Sequence, residues 1–279
     1  MPYSLIESRS EPAAFAREGY IRVRVTPDVV AVIEDIVKRA RAFFRCASSE
    51  KQLASLPGAH EGWHAFGGEY SITPDRPDLH ESFWVTRGRE KEASKRYASG
   101  AARDLHGALM GYLDIVQDIE RVIMADLLDW LGVGSHGAPP PRSMESDLQV
   151  LFYEPALQTR DLLQDAHEDG LSLTITWADG PGLELLGEGG VFQPAGLACN
   201  ELAVLPGEIL ALMTGFKVRP QVHRVARHPE QLERFTVSYF ASPDINGGGV
   251  AEPWVKFGYD DQSSLAEQIR LNRIKYLTD

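Results

Sequence analysis

The hydrophobic period of the chain changes across three consecutive prolines, Pro139, Pro140 and Pro141, and that change bounds the fold. Upstream, Val29, Ile33, Ile36, Val37, Ala40, Phe43 and Phe44 recur every three or four residues, one apolar stripe on a helix. Thr26-Pro27 supplies an N-cap and a first-turn proline. A second stripe runs Leu105, Leu109, Tyr112, Val116, Ile119, Ile123, Leu127, Leu131 and stops at Gly132. Downstream the period is two. Leu148, Val150 and Phe152 alternate with other residues; Leu171, Leu173, Ile175 and Trp177 face one way, and Ser172, Thr174 and Thr176 the other. Further strand-like runs cover 183–186, 202–205, 209–213, 221–226 and 235–240, with turn residues between them. Short strands at this spacing predict an antiparallel barrel or jelly roll. The fold class expected is mainly β with flanking helices (α+β), an all-β core carrying an N-terminal helical buttress. We read one domain over 1–279, with a mainly helical region 1–141, a core 147–245 and a tail 246–279.

Charge narrows the partners. With 28 Lys and Arg against 40 Asp and Glu, the net charge is −12, which repels phosphate backbones and anionic lipid heads. A small-molecule partner is expected, with no nucleic acid and no membrane; the sequence sets no oligomeric state. Two cysteines, Cys46 and Cys199, exclude a disulfide framework and any Cys-rich metal site; Cys199 is expected to be a small buried hydrophobe. The first residues lack the apolar stretch of a signal peptide, so the expected location is cytoplasmic.

Eight histidines remain as candidate metal ligands. Non-haem iron oxygenases hold Fe(II) with two His and one carboxylate on one face, and residues two apart on an extended chain point the same way. With 8 His and 40 acids in 279 residues, about one His-x-acid pair arises by chance. The chain has two, His167-x-Asp169 and His228-x-Glu230. Only the first is followed by a further histidine outside the pairs, His223, within the strand-like run Gln-Val-His-Arg-Val. The competing reading of the first pair is a polar hairpin turn at Asp169-Gly170.

Arg234 and Thr236 share one face of the run Arg-Phe-Thr-Val-Ser-Tyr-Phe, with Phe235, Val237 and Tyr239 on the other. A guanidinium beside a hydroxyl on an inward face suits a carboxylate, which accepts two parallel charge-assisted bonds. The alternative is an outward arginine paired with Glu233 or Glu230.

These residues, in this order, resemble the isopenicillin N synthase-like branch of the Fe(II)/2-oxoglutarate-dependent dioxygenases. The resemblance covers nearly the whole chain. It is carried by His167-Glu168-Asp169, Gly182-Leu183-Glu184-Leu185, Leu205-Pro206-Gly207-Glu208, His223-Arg224-Val225 and Arg234-x-Thr236 with Tyr239-Phe240. Phe43-Phe44, Gly62-Trp63 and Glu81-Ser82-Phe83-Trp84 are similar to N-terminal features of the same branch. The resemblance implies a distorted jelly-roll (double-stranded β-helix) core. It makes His167, Asp169 and His223 the Fe(II) ligands, and Arg234 and Thr236 the partners of the distal carboxylate of 2-oxoglutarate. Tyr153 takes the place of a cosubstrate-contacting tyrosine, although Leu151 stands where the branch commonly has asparagine.

The activity implied is oxidation of a C–H bond of a small molecule with O2 as co-reactant and decarboxylation of 2-oxoglutarate to succinate and CO2, plausible in specialised (secondary) metabolism. Two other readings share the fold: an Fe(II)/O2 oxidase that uses no 2-oxoglutarate, and a non-catalytic barrel binding protein. Trp63, Phe66, Tyr70, Trp84, Phe152 and Phe240 are the aromatic candidates for the substrate wall at the barrel mouth; His64 and His80 are expected in core or surface positions.

Overall fold

A computed structural model describes residues 5–7, 11–56, 61–89, 96–97, 100–132, 146–229 and 233–242. The triple proline, His60, His136, Glu230 and the tail 246–279 lie outside the described residues.

The N-terminal stripes form helices. After α1 (Ala13–Arg17) and strand β1 (Ile21–Arg24), α2 covers Pro27–Phe44 with proline in its first turn. Thr26 starts α2 through its backbone, without a side-chain cap bond. A short α3 (Ser48–Gln52) follows, and the second stripe becomes α4 (Gly100–Trp130). It ends where Gly132 takes a positive φ of 74°, a conformation with no Cβ penalty in glycine.

Ten further strands fold against them: β2 (Gly62–His64), β3 (Glu81–Thr86), β4 (Asp147–Tyr153), β5 (Leu162–His167), β6 (Leu173–Ala178), β7 (Leu183–Leu186), β8 (Phe192–Pro194), β9 (Glu201–Pro206), β10 (His223–Ala226) and β11 (Arg234–Ala241). All pairings are antiparallel. The large sheet runs β1-β9-β6-β11-β4-β3-β2 and the small one β5-β10-β7-β8. Two antiparallel sheets with flanking helices realise the expected jelly roll. The run 209–213, expected as a strand, is instead helix α5 (Glu208–Met213). A short apolar run carries no period that separates strand from helix, and Gly207 opens the turn directly after β9.

Alternation gives the large sheet two chemically different faces. Phe83, Val85, Leu148, Val150, Phe152, Ile175, Trp177, Val204, Phe235, Val237 and Tyr239 join the stripes of α2 and α4 in one apolar core. The opposite face carries Gln149, Thr174, Thr176, Arg234, Thr236 and Ser238, all buried yet polar. Buried polar groups without partners cost free energy, so this inner face is where a ligand is expected.

Candidate active site

The site begins at the end of β5. His167 is the last residue of that strand, and His223, the first of β10, is its direct cross-strand partner. Register irregularities follow His223 along the β5–β10 pair, the kind of bulge that re-aims side chains beside functional sites. Asp169 sits in the β5–β6 connection, where Thr174 Oγ1 donates to its Oδ2. His167 Nε2 lies 3.5 Å from Asp169 Oδ1 and His223 Nε2 3.7 Å from Oδ2. One ligand atom from each residue falls within 4.8 Å of the others, the only such trio of His, Cys, Asp or Glu among the described residues.

The second nitrogen of each imidazole is already committed. His167 Nδ1 lies 2.7 Å from the Asp165 carbonyl and His223 Nδ1 3.1 Å from the Gln221 carbonyl. A carbonyl only accepts, so both Nδ1 atoms carry the proton and both Nε2 atoms face the shared space. Burial would raise the Asp169 carboxyl, yet His223, His167 and Thr174 together hold it well below the usual carboxylate range. Burial opposes protonation of His167, but the Asp169 carboxylate prevails and raises it; His223 is pushed down, chiefly by burial. Two imidazoles and one carboxylate on one face are a donor set for a divalent transition metal, whose binding displaces protons. The residues present therefore fit Fe(II).

Arg234 lies further along the inner face, 3% exposed. Its Nε donates to the Pro181 carbonyl at 3.0 Å, its Nη1 donates to Thr236 Oγ1, and its guanidinium lies 5.0 Å from the centre of the Tyr153 ring. No carboxylate among the described residues forms an ion pair with it. Glu233 instead points away and pairs with Arg41 and Arg45, so the outward-arginine alternative is not what the structure contains. A buried cation with only neutral bonding partners and a face on a cavity fits an incoming carboxylate. Tyr153 is fully buried, pairs with Arg234 across the strands, and its hydroxyl donates to Gln164 Oε1 at 2.8 Å.

A cavity joins these groups; His167, Asp169, His223, Arg234 and Thr236 line it together with Gln149, Gln164, Ser238 and Phe240. The segment 65–80 is tied to β5 beside it. Leu79 N donates to Leu163 O at 2.8 Å, Arg160 Nη2 donates to Pro77 O at 2.6 Å, and Arg76 pairs with Asp165 at 2.5 Å.

The aromatic candidates divide. Phe240 lines the cavity, and Trp84 stacks on it with ring centres 5.4 Å apart. Phe66 packs on a cluster of Leu79, Leu151, Tyr153, Leu163 and Val225; Tyr70 is half-buried outside the cavity lining. Three expectations are corrected. Phe152 shares the parity of Leu148 and Val150 and is stacked between Phe44 and Phe235 in the helix-facing core. Trp63 belongs to the same core and donates from Nε1 to Glu81 at 2.7 Å. Cys199, expected buried, is exposed, its carbonyl accepting from Trp177 Nε1.

The sequence reading missed Glu69. It gathers donors from Ser82 Oγ, Trp84 Nε1 at 2.6 Å and Gln149 Nε2 at 2.9 Å, and faces His64 and His80 at 3.3 and 3.8 Å. Gln149, Thr174 and Ser238 were missed as well, although strand parity with Tyr153, Thr176 and Arg234 was a signal for them.

No family model and no curated protein matches the chain. Solved structures do. A full-length Neurospora crassa protein in complex with α-KG is similar at 19% identity and TM-score 0.73 over 94% of this chain and 88% of that one; the same protein has been crystallised with α-KG and thymine. A Caulobacter crescentus protein described as of the 2OG-Fe(II) oxygenase family is similar at 22% identity and TM-score 0.71, covering 93% and 92%. JOX2 in complex with 2OG, Fe and JA is similar at 17% identity and TM-score 0.66, covering 84% and 70%. The fold is thus that of the Fe(II)/2-oxoglutarate oxygenases. It places a His-Asp-His trio and a buried arginine on the walls of one cavity.

Proposed function

We propose that the protein is an Fe(II)- and 2-oxoglutarate-dependent oxygenase that oxidises a C–H bond of a small molecule. The observation that carries this is the convergence of His167 Nε2, Asp169 and His223 Nε2 on one spot, with both Nδ1 atoms held by backbone carbonyls. His167, Asp169 and His223 hold the metal; Arg234 and Thr236 take the distal carboxylate of 2-oxoglutarate. Bound together with O2, metal and cosubstrate supply the oxidising chemistry, with succinate and CO2 as by-products. The protein orients the reactants and limits water. Thr174 keeps one Asp169 oxygen occupied, the Asp165 and Gln221 carbonyls fix the imidazole tautomers, and Phe240 offers a flat apolar surface to the substrate.

The acidic surface and the family resemblance support a cytoplasmic, single-domain enzyme of specialised metabolism without nucleic-acid or membrane partners. Among the described residues no helix is long and apolar enough to cross a membrane.

Anaerobic titration with Fe(II) and 2-oxoglutarate tests the reading. A metal-to-ligand absorption band that disappears in Asp169→Ala is the expected result. Iron binding without a band or succinate formation would favour the Fe(II)/O2 oxidase, and turnover or binding indifferent to Asp169→Ala would favour the non-catalytic barrel.

A further inference from the structure

Beyond the metal and Arg234, one rung of the large sheet runs Trp84, Gln149, Ser238, Thr176 across β3, β4, β11 and β6, each the direct partner of the next. Gln149, Ser238 and Thr176 line the cavity together with Phe240, two residues further along β11. Glu69 fixes how the Gln149 amide points. Gln149 Nε2 donates to Glu69 Oε2 at 2.9 Å, and an ionised carboxylate only accepts, so the amide cannot flip. Glu69 is itself immobilised by Ser82, Trp84, His64 and His80. The Gln149 carbonyl oxygen is therefore turned away from Glu69. It makes no hydrogen bond among the described residues, and it is not one of the sealed, unpartnered polar atoms of the interior, so it reaches the cavity as an acceptor.

Beside it stands a donor. Ser238 Oγ and Thr176 Oγ1 are 2.8 Å apart and share a single hydrogen bond. Two hydroxyls bring two protons and that bond uses one, which leaves one O–H to donate. Directly opposed residues in an antiparallel pair have Cβ atoms about 4.5–5.5 Å apart, so acceptor and donor sit side by side. Phe240 adds a flat surface, backed on its other side by Trp84 at an interplanar angle of 21°. Apart from the metal ligands and Arg234, every side chain lining the cavity is neutral, so a charged substrate would lose hydration without recompense.

We infer that the substrate is a flat, neutral cyclic amide (a lactam or imide), its N–H read by the Gln149 carbonyl and its C=O by the Ser238–Thr176 hydroxyl pair, with Glu69 as the positioning residue that fixes the Gln149 amide. This deepens the oxygenase reading and rests on it for the statement that the bound molecule is oxidised.

The test uses the full chain and two probes, 2-pyridone and N-methyl-2-pyridone, with binding followed by ligand-observed NMR. 2-Pyridone is expected to bind about tenfold or more tightly than its N-methyl analogue, which cannot donate. Gln149→Leu should erase that preference. Glu69→Gln should weaken 2-pyridone about tenfold, since a neutral amide at 69 no longer dictates the orientation of Gln149, while the Fe(II)–2-oxoglutarate absorption band is retained. Equal affinity for the two probes, a preference that survives Gln149→Leu, or tighter binding of benzylamine or benzoate than of 2-pyridone would overturn the inference. Because NMR binding needs no turnover, a missing band in the wild-type protein counts against the oxygenase reading alone.

Discussion

His167 and His223 stand directly opposite each other across the β5–β10 pair, their ring centres 4.3 Å apart. A slip of one residue in that register would turn one imidazole to the other face of the sheet, so strand pairing itself builds the candidate metal centre. Asp169 is the member that strand geometry does not fix. It belongs to a connection, and what orients it is the hydroxyl of Thr174.

That dependence makes Thr174→Val informative. The change keeps the shape of the side chain and removes the donor to Asp169 Oδ2. Loss of such an outer partner costs about 10–100-fold in metal affinity. Anaerobic Fe(II) titration of the two proteins checks this, with circular dichroism showing that the fold persists; equal affinities would mean that Asp169 needs no such support.

Gly182 bears on the cosubstrate end. It has a φ of +120°, and a Cβ there would lie 2.7 Å from the Ala226 carbonyl and 3.4 Å from Arg234 Nε. Gly182→Ala should cost about 1–3 kcal/mol of stability and, by pressing on Arg234, raise the 2-oxoglutarate concentration needed for half-saturation. Denaturant unfolding and 2-oxoglutarate titration read the two effects separately. A variant with the wild-type midpoint and unchanged half-saturation would show that β7 and β10 yield freely at this point.

How much of this was legible in the sequence depends on whether a residue's role is periodic. The stripes over 29–44 and 105–127 became buried helix faces, and the alternation of Thr174 and Thr176 with Ile175 and Trp177 became the two faces of β6. His167, Asp169 and His223 could be singled out because order along the chain, not register, distinguished them from His228 and Glu230. Phe152 shares the parity of Val150, and that parity, not aromatic character, sets its face. Trp63 lies in a three-residue strand, too short a pattern to choose a face. Glu69 was invisible for a different reason. It lies in the aperiodic segment 65–80, and its partners Ser82, Trp84 and Gln149 come from two strands that only the fold brings beside it.

The two faces of the large sheet predict opposite outcomes for two phenylalanines. Phe152 is 4% exposed between Phe44 and Phe235, so Phe152→Ala should cost about 3–5 kcal/mol of stability. Phe240 is half-buried on the cavity wall, and Phe240→Ala should cost clearly less while uncoupling 2-oxoglutarate consumption from substrate oxidation. Urea unfolding and the succinate-to-product ratio separate these. Comparable destabilisation by both substitutions would argue that the inner face is core, not pocket.

A last prediction concerns pH and a second buried cluster, behind the large sheet. Glu61 Oε2 accepts from Thr86 N at 2.9 Å, while Glu61 Oε1 lies 4.0 Å from His106 Nε2, and these last two atoms have no hydrogen-bond partner among the described residues. Burial pushes the Glu61 carboxyl up to about 8 against its ordinary 4.5, with the Thr86 amide and Arg89 opposing and Asp147 adding to the rise. Tyr97 and His106, the other titratable groups facing it, are displaced toward their neutral forms by burial. A carboxyl whose folded pKa exceeds its unfolded one favours the native state while both forms are protonated, below about pH 4.5, and that contribution is lost as the pH climbs through about 8. Glu61→Gln keeps an acceptor for Thr86 N and cannot ionise. Relative to wild type, its Tm should therefore gain steadily between pH 5.5 and 8.5, as followed by thermal denaturation at several pH values; a constant difference across that range would show that Glu61 titrates alike in the folded and unfolded chains.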